Sequence, residues 1–535
     1  MIGQRAAGRW ITTTFGDMLA RARDIASGLV ARGLKPGDRL LILSGEGIDH
    51  AALMLGAMLA RVVTVPISTG YSRAPDRSRL AYLLQLVRPG MVFADDEHEF
   101  GAALDDAVRA GAIRLAAGAG MDGLNQLEHI APPIDVHAAL ASIAHQTVFR
   151  MLLTSGSTAM PKGVIQTHGM NCASLAFDAS LSTLPPGPRE PHIVLDWLPW
   201  SHVGGSITTF NNILLAGASL YLDDGRPVPG QFDATIRNLM EFPPGIFASP
   251  PAGFAMLVEA MDRDPELRAS FFSRLIYVKS GAAAMPEEVR RRFQRHSIAL
   301  VGDGTPILMG YGTTETHGVI SVTSDTRRPS LLGLPKPGVI VKLAPVGDRF
   351  EVSIKSASVT PGYFGDDAAT AAAFDEEGFF RTGDSATIDP DEPGQGLVYA
   401  GRIGENFKMA TGTWVAGSDL RAAVMDALDG MADDCVVLGE GQVAIGLMIW
   451  TSDDDSERRT RICKALRRFN EAATGASRRI GRVIFSRILI SADRFERTEK
   501  GSLNRVLILS DRRVEIDLLY ADSPGALVTD LSSAP

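Results

Sequence analysis

The run LLTSGSTAMPKG, residues 152–163, gathers the hydroxyls of Thr154, Ser155, Ser157 and Thr158, the backbone of Gly156 and the ammonium of Lys162. Small residues let a backbone approach a ligand closely. Successive amide N–H groups form an anion nest, and a lysine beside them adds a point charge. A polyphosphate suits such a cradle. The run is not the Walker loop, which needs GxxxxGK[ST] opening a helix. From composition alone, a polar surface turn explains it equally well. Other residues able to do chemistry lie far along the chain: Glu315, Asp384 and Lys500. Taken singly, Glu315 reads as a surface acid, Asp384 as a turn former, His202 as structural and Tyr311 as core.

Positioning these residues requires a framework. TVFRMLLT (147–154) and GVIQTH (163–168) read as strands, so the hydroxyl run is a strand-to-strand loop. Upstream, FGDMLARARDIASGLVARGL (15–34) has helical spacing, and KPGD turns it into the strand RLLILSG. HAALMLGAMLARV followed by VTVPI, and RLAYLLQLVRPG followed by MVFAD, repeat the theme. Such alternation predicts a parallel sheet covered by helices. HIVLDWLPW, IFASPPAGFAMLVEAM and RLIYVKSGAAAMPEEVRRRFQRH continue it. From about 331 the texture changes to short β-like pieces, GVIVKLAPVG, FEVSIKSAS, GFFRTGDSATI and GLVYAGRI, which predict a β-rich subdomain over 331–400. DCVVLGE, QVAIGLMIW and RRIGRVIFSRILI predict a further unit after a boundary near 400–404. The tail after 520 is expected to fray.

Bulk numbers set the class. A chain of 535 residues exceeds what one core serves. Its 45% hydrophobic and 21% charged residues are those of an ordinary globular protein. A net charge of −9 argues against a nucleic-acid-binding scaffold. Cys172, Cys435 and Cys463 form no CxxC pair and are expected to be buried small apolar side chains. The stretch 51–67 is interrupted by Arg61 and is short for a membrane span. No signal peptide is evident at the N-terminus, so a cytoplasmic enzyme is expected.

Several motifs occur in order. After 152–163 come LPWSHVGG (198–205), GYGTTET (310–316), FFRTGD (379–384), GRIGENFKMATGTWV (401–415) and RTEKGSLNR (497–505). Together they resemble the adenylate-forming superfamily of acyl- and aryl-CoA synthetases, adenylation domains and luciferases, over about 10 to 510. LDWLPWSHVGGSITTFNNILLAGASLYLDDGRPVP and GRIGENFKMATGTWV resemble feruloyl-CoA synthases in particular. Members of that family usually carry more sequence before the first helix.

The resemblance implies an α/β fold. A large N-terminal AMP-binding domain (1–400) has mixed and parallel sheets flanked by helices and includes the β-rich subdomain. A hinge follows at 401–404, then a small mobile α+β C-terminal domain (405–535). It implies an ATP-dependent acid–CoA ligase forming an acyl-adenylate and then a thioester, with ATP, Mg²⁺ and coenzyme A. Thr154, Ser155, Gly156, Ser157, Thr158 and Lys162 would hold the β- and γ-phosphates. Glu315 would hold Mg²⁺, and Thr314 would touch the α-phosphate. Tyr311 would lie against adenine beside Gly281 and Ala282, Gly312 and Thr313 would belong to the same ATP/AMP site, Asp384 would accept the ribose hydroxyls, and Arg402 would contact that sugar or a phosphate. His202 would gate an acyl pocket with Val203, Ala248 and Gly310. Lys408 and Gly412 would lie on the CoA side. Ala159 stands where the family pattern has a glycine, and Gly404 where the hinge has Asp or Lys. Ser502 stands where the adenylation lysine is usual; Lys500, two residues earlier, takes that role, with Lys408 the second candidate. The implied partners are a small carboxylic acid, ATP and CoA, with no nucleic acid and no membrane span; a homodimer is left open. The expected acid is a hydroxycinnamate such as ferulate, with medium-chain or benzoate ligases next and a carrier-protein loader after them. A non-catalytic nucleotide or acyl-ligand sensor is the reading from another class.

Overall fold

β1 (Ile2–Ala6) and β2 (Arg9–Thr13) pair antiparallel, and β1 runs parallel to β10 (Ser219–Leu222) far along the chain. The computed structural model describes residues 1–116, 123–154, 160–180, 192–228, 230–281, 285–324, 330–451, 455–473, 475–490, 496, 503–521 and 528–531. Among these the strands form sheets of thirteen, six, four and two.

The smaller of the two N-terminal sheets is built from β3 (Arg39–Ile42), β4 (Val63–Pro66), β5 (Met91–Ala94), β6 (Ile113–Ala116), β7 (Val148–Thr154) and β8 (Lys162–Thr167), in the order β6-β5-β3-β4-β7-β8. All its pairs are parallel except β7–β8. Its central strands are short and apolar because helices cover both faces. On one face lie Phe15–Ala31 and Ile48–Ala60. The first of these begins at Thr14, whose side chain accepts from Asp17 N. It buries Met18, Ala22, Ile25, Ala26 and Leu29, as the spacing predicts. Helices Ser78–Val87 and Glu97–Arg109 cover the other face.

The large sheet carries a parallel block, β10-β9-β11-β12-β13, with β9 (Ile193–Asp196), β11 (Ile246–Ser249), β12 (Tyr277–Ser280) and β13 (Ile307–Thr313). Helices Ile48–Ala60 and Phe210–Ala216 fill the space between the two sheets with Trp200. Phe247, Phe254, Phe271 and Phe293 pack the outer face. β14 (His317–Ser324), β15 (Leu331–Pro335), β16 (Ile340–Val346), β17 (Arg349–Lys355), β18 (Phe380–Ile388) and β19 (Leu397–Arg402) extend the same sheet antiparallel. The β-rich stretch expected over 331–400 is thus joined edgewise to the parallel block through β14 and β15.

Beyond Arg402 come the short pair β20 (Phe407–Lys408) and β21 (Trp414–Val415), then β22 (Asp434–Leu438), β23 (Ile445–Trp450), β24 (Ile480–Phe485) and β25 (Val528–Asp530) with helices Gly417–Leu428 and Ser456–Ala472. This unit has its own core of Leu420, Val424, Leu447, Ile449, Ile462 and Val483. Two expectations need correction. The tail does not fray throughout: β25 pairs antiparallel with β24, and Leu531 is buried in the C-terminal core, because the edge of β24 offers unpaired backbone groups. Cys435 and Cys463 are buried, but Cys172 is exposed, since it falls on the outward side of the helix His168–Ser180. No helix among the described residues is long and apolar enough to cross a membrane.

Candidate active site

Strand β7 ends at Thr154 and β8 begins at Lys162, and these two residues face each other in register. Ser155, Gly156, Ser157 and Thr158 between them lie outside the described residues, as do Ala282 and Lys500. Pairing of Thr154 with Lys162 fixes the mouth of the loop. The Lys162 ammonium sits 5.0 Å from the ring centroid of Tyr363, a cation–π distance. Tyr363 is held there by backbone bonds on both sides: Phe364 N donates to Gly163 O (2.8 Å) and Ile165 N to Gly362 O (3.2 Å). Its phenol donates to Glu315 Oε1 at 2.9 Å. Burial and then Glu315 push that phenol well above its ordinary range, so it stays protonated and keeps donating. Lys162, Tyr363 and Glu315 therefore form one line from cation to carboxylate.

Glu315 belongs to a turn that is tied down on every side. Thr313 N donates to Thr316 Oγ1 (3.0 Å), and Thr360 N donates to Glu315 O (2.7 Å). Gln166 Nε2 donates to the buried Thr314 carbonyl (3.1 Å), and His317 Nε2 donates to Gln166 Oε1 (2.5 Å). Burial drives His317 down to about 4, so it is neutral at neutral pH and one ring nitrogen can accept. His317 also sits at φ +59°, and non-glycine residues there signal a functional constraint more often than chance. Opposite it, a Cβ on Gly312 would stand 1.6 Å from His317 O, so only glycine fits. The register between β13 and β14 breaks at Tyr311/Gly312, just before Thr314 and Glu315 leave the sheet.

The third cluster centres on Asp384, buried where β18 lies opposite Arg402 of β19. Tyr311 donates its hydroxyl to Asp384 Oδ2 (2.7 Å) and Tyr399 to Oδ1 (3.5 Å), while Arg402 Nε is 3.2 Å from Oδ1. Burial pushes the Asp384 carboxyl above its usual range, against the opposing pull of Arg402. Oδ2, which accepts from Tyr311, keeps a lone pair for a further donor. Arg402 also acts electrostatically on Tyr363, which joins this cluster to the Lys162 line.

His202 precedes a π-helical turn, Gly204–Thr209, of the kind that often accompanies functional sites. Its Nδ1 accepts from Gly204 N at 3.1 Å, which places the proton on Nε2. Val203 packs with Phe149, Leu152 and Ile207. Gly310 is exposed in mid-strand, Ala248 is the penultimate residue of β11, and Gly281 follows the last residue of the adjacent β12. Lys408 and Gly412 bracket the β20–β21 turn on the C-terminal unit, where Gly412 has φ +85°. Gly404 sits in the short turn Ile403–Glu405, with no atom of the described residues within 4 Å of where a Cβ would be.

Tyr363, Tyr399, Gln166 and His317 were not singled out from the sequence. Tyr363 lies in PGYFGDD, where glycine and proline announce only a turn. Its role comes from a backbone bridge to Val164, about 200 residues away in sequence. Among the described residues no three His, Cys, Asp or Glu side chains converge as metal ligands. Glu315 with neighbouring threonine hydroxyls is a set of hard oxygen donors. It fits Mg²⁺ shared with phosphates rather than caged by protein.

The family model described as AMP-binding enzyme matches residues 2–364, and that described as AMP-binding enzyme C-terminal domain matches 407–524. Among curated relatives, the carboxylic acid reductase of Mycobacterium tuberculosis is 26% identical over 459 residues, 78% of this chain but 38% of the reductase. The long-chain-fatty-acid–CoA ligase FadD15 of Mycobacterium bovis is 26% identical over 489 residues, covering 83% of this chain and 78% of the ligase. The 4-coumarate–CoA ligase-like 5 of Oryza sativa is 26% identical over 451 residues, 80% of this chain and 73% of its own. The chain thus spans well under half of the reductase. The fold is also that of the anthranilate CoA ligase AuaEII solved with anthranoyl-AMP, at a TM-score of 0.77 and 18% identity, over 96% of this chain and 94% of that one.

Proposed function

The chain belongs to the AMP-binding enzyme family, and on that premise we propose that it is an ATP-dependent carboxylic acid–CoA ligase acting on a hydroxycinnamic acid such as ferulate. The observation that carries this reading is the line from Lys162 through Tyr363 to Glu315, with the Arg402–Asp384 pair close enough for Arg402 to act electrostatically on Tyr363. Aromatic acids are supported by relatives named for 4-coumarate and benzoate.

The acid's carboxylate attacks the α-phosphorus of ATP, the bond to the β-phosphate oxygen breaks, and pyrophosphate leaves. The thiolate of CoA then attacks the acyl carbon and AMP departs. Charge gathers on phosphate oxygens in both steps, so fixed cations and N–H donors are what the chain can contribute. Lys162 and the 154–158 backbone hold the β- and γ-phosphates, Thr314 the α-phosphate. Glu315 would hold Mg²⁺, which neutralises phosphate charge when bound. Asp384 takes the ribose hydroxyls, with Tyr311, Gly281 and Ala282 near the base. His202 and Val203 border the acid. Lys500 approaches the reacting carboxylate for adenylation. Rotation of the C-terminal unit about 402–404 then brings Lys408 and Gly412 to the CoA side.

The test is an ATP–pyrophosphate exchange screen over ferulate, p-coumarate, benzoate and short fatty acids, followed by CoA addition. Ferulate and p-coumarate are expected to lead. Lys162→Ala should lower exchange by about 10²–10³, the size of losing one preorganised donor. Lys500→Ala should abolish exchange yet still form thioester from supplied acyl-adenylate. Exchange independent of any acid, or untouched by Lys162→Ala, would refute the reading.

A further inference from the structure

The inner face of the large sheet carries a charge that none of the roles above uses. β11 and β12 pair with Ile246 beside Tyr277, Phe247 beside Val278 and Ala248 beside Lys279, and β13 sets Leu308 next to Lys279. Paired residues share a face and successive ones alternate. Phe247, Val278 and Ile307 lie in the outer core, whereas Ile246 packs into the core between the sheets. Ala248, Lys279 and Leu308 therefore point inward, and all three are half-buried. Gly310 follows on the same face. It is exposed, and no atom of the described residues lies within 4 Å of where a Cβ would stand, so space adjoins the lysine there.

Lys279 has no ion pair among the described residues; its ammonium lies 5.9 Å from the ring centroid of Tyr277. Asp178, the carboxylate that feels its charge, is already engaged. Lys336 holds it at 2.5 Å and Asn212 donates to it at 3.0 Å. Two ammonium groups, Lys279 and Lys336, thus share the one carboxylate of Asp178, which leaves one positive charge in excess. A half-buried ammonium whose nearest carboxylate is already bonded to another lysine can take a further acceptor. Leu308, its strand neighbour, precedes Tyr311 by three residues, roughly 10 Å along the strand. Tyr311 touches Asp384 on the nucleotide side, so Lys279 lies well back from where the acid is activated.

We propose that Lys279 anchors an oxygen that can carry negative charge, a phenolic oxygen or a second carboxylate, at the end of the acid remote from the activated carboxyl group. This rests on the ligase reading above and specifies its acid. Acids ending in an alkyl group or a bare ring leave the ammonium unpaired and are disfavoured.

The test compares kcat/KM for 4-hydroxycinnamate, 4-carboxycinnamate and 4-methylcinnamate in pyrophosphate release. The wild type should favour the oxygen-bearing acids. Lys279→Met should lower them by about 10- to 100-fold, the worth of one charged hydrogen bond, without lowering 4-methylcinnamate. Lys279→Arg should retain the preference, and Lys279→Gln serves as a second neutral variant should the Met variant fold poorly. The better of the two oxygen-bearing acids identifies the group bound. An unchanged ratio in the neutral variants, or a wild type that prefers 4-methylcinnamate, overturns the assignment while leaving the ligase intact. If the wild type releases pyrophosphate with none of the three, the hydroxycinnamate reading falls, and calorimetric titration of 4-carboxycinnamate with AMP present decides Lys279. About tenfold weaker binding in the Met variant supports the anchor; equal binding, or none to the wild type, overturns it.

Discussion

Asp196 shows how burial turns one residue into a pH-dependent liability. It ends β9 just before Trp197 and accepts from Leu198 N at 3.1 Å. Burial pushes its carboxyl up to about 7, and Glu46 acts in the same direction. An acid whose folded pKa is raised stabilises the fold while protonated. That stability is lost as pH rises from its unfolded pKa through about 7. Asp196→Asn keeps an acceptor for Leu198 and cannot ionise. Chemical denaturation at about pH 4 and about pH 8 should therefore show the gap between variant and wild type moving toward the variant by about 4 kcal/mol. A constant gap would mean that Asp196 is solvated. Nothing in LDWLPW marks this residue, because desolvation is a property of what packs around it. Lys162, Glu315 and Asp384, by contrast, each sit in a short sequence motif, although the side chains they touch, Tyr363, Tyr311 and Arg402, come from other segments.

At the scale of elements, the β13–β14 connection decides the site. Tyr311 must reach Asp384 while Thr314 and Glu315, a few residues later, leave the sheet. The register break at Tyr311/Gly312 reconciles the two. Gly312→Ala would drive a Cβ into the His317 carbonyl and force this bulge open. Displacement by about an ångström is enough to cost about 100-fold in rate. The expectation is a loss of that order in ATP-dependent exchange, with far-UV circular dichroism retained; full exchange activity would show that the bulge tolerates a side chain. The strands themselves followed from apolar runs and turn residues. The bulge did not, since GYGTTETH carries no period that distinguishes a straight ladder from a broken one. The same holds for the π-helical turn after His202.

Across the whole molecule, the hinge proposed at 402–404 is spanned by contacts that rotation must break. Arg349 of β17 pairs with Asp419 of the helix Gly417–Leu428 at 3.0 Å and also bonds the Ala400 carbonyl. Partly exposed pairs of this kind are worth about 1 kcal/mol or less, so Asp419→Asn should change the ratio of the two half-reaction rates by up to about 5-fold. The melting temperature should fall by no more than about 4 °C. An unchanged ratio would argue against this pair as part of a swivelling interface. The amino-acid sequence by itself determined the α/β class, the strand-and-helix succession and the motif residues that touch one another locally, because periodicity and short-range chemistry are written in adjacent positions. Only the tertiary structure decided which distant side chains meet: Tyr363 against Lys162 and Glu315, Gln166 against His317, and Lys279 beside open space. Those meetings depend on strand order, register and burial, which arise when separate segments pack and have no counterpart in any single stretch of chain.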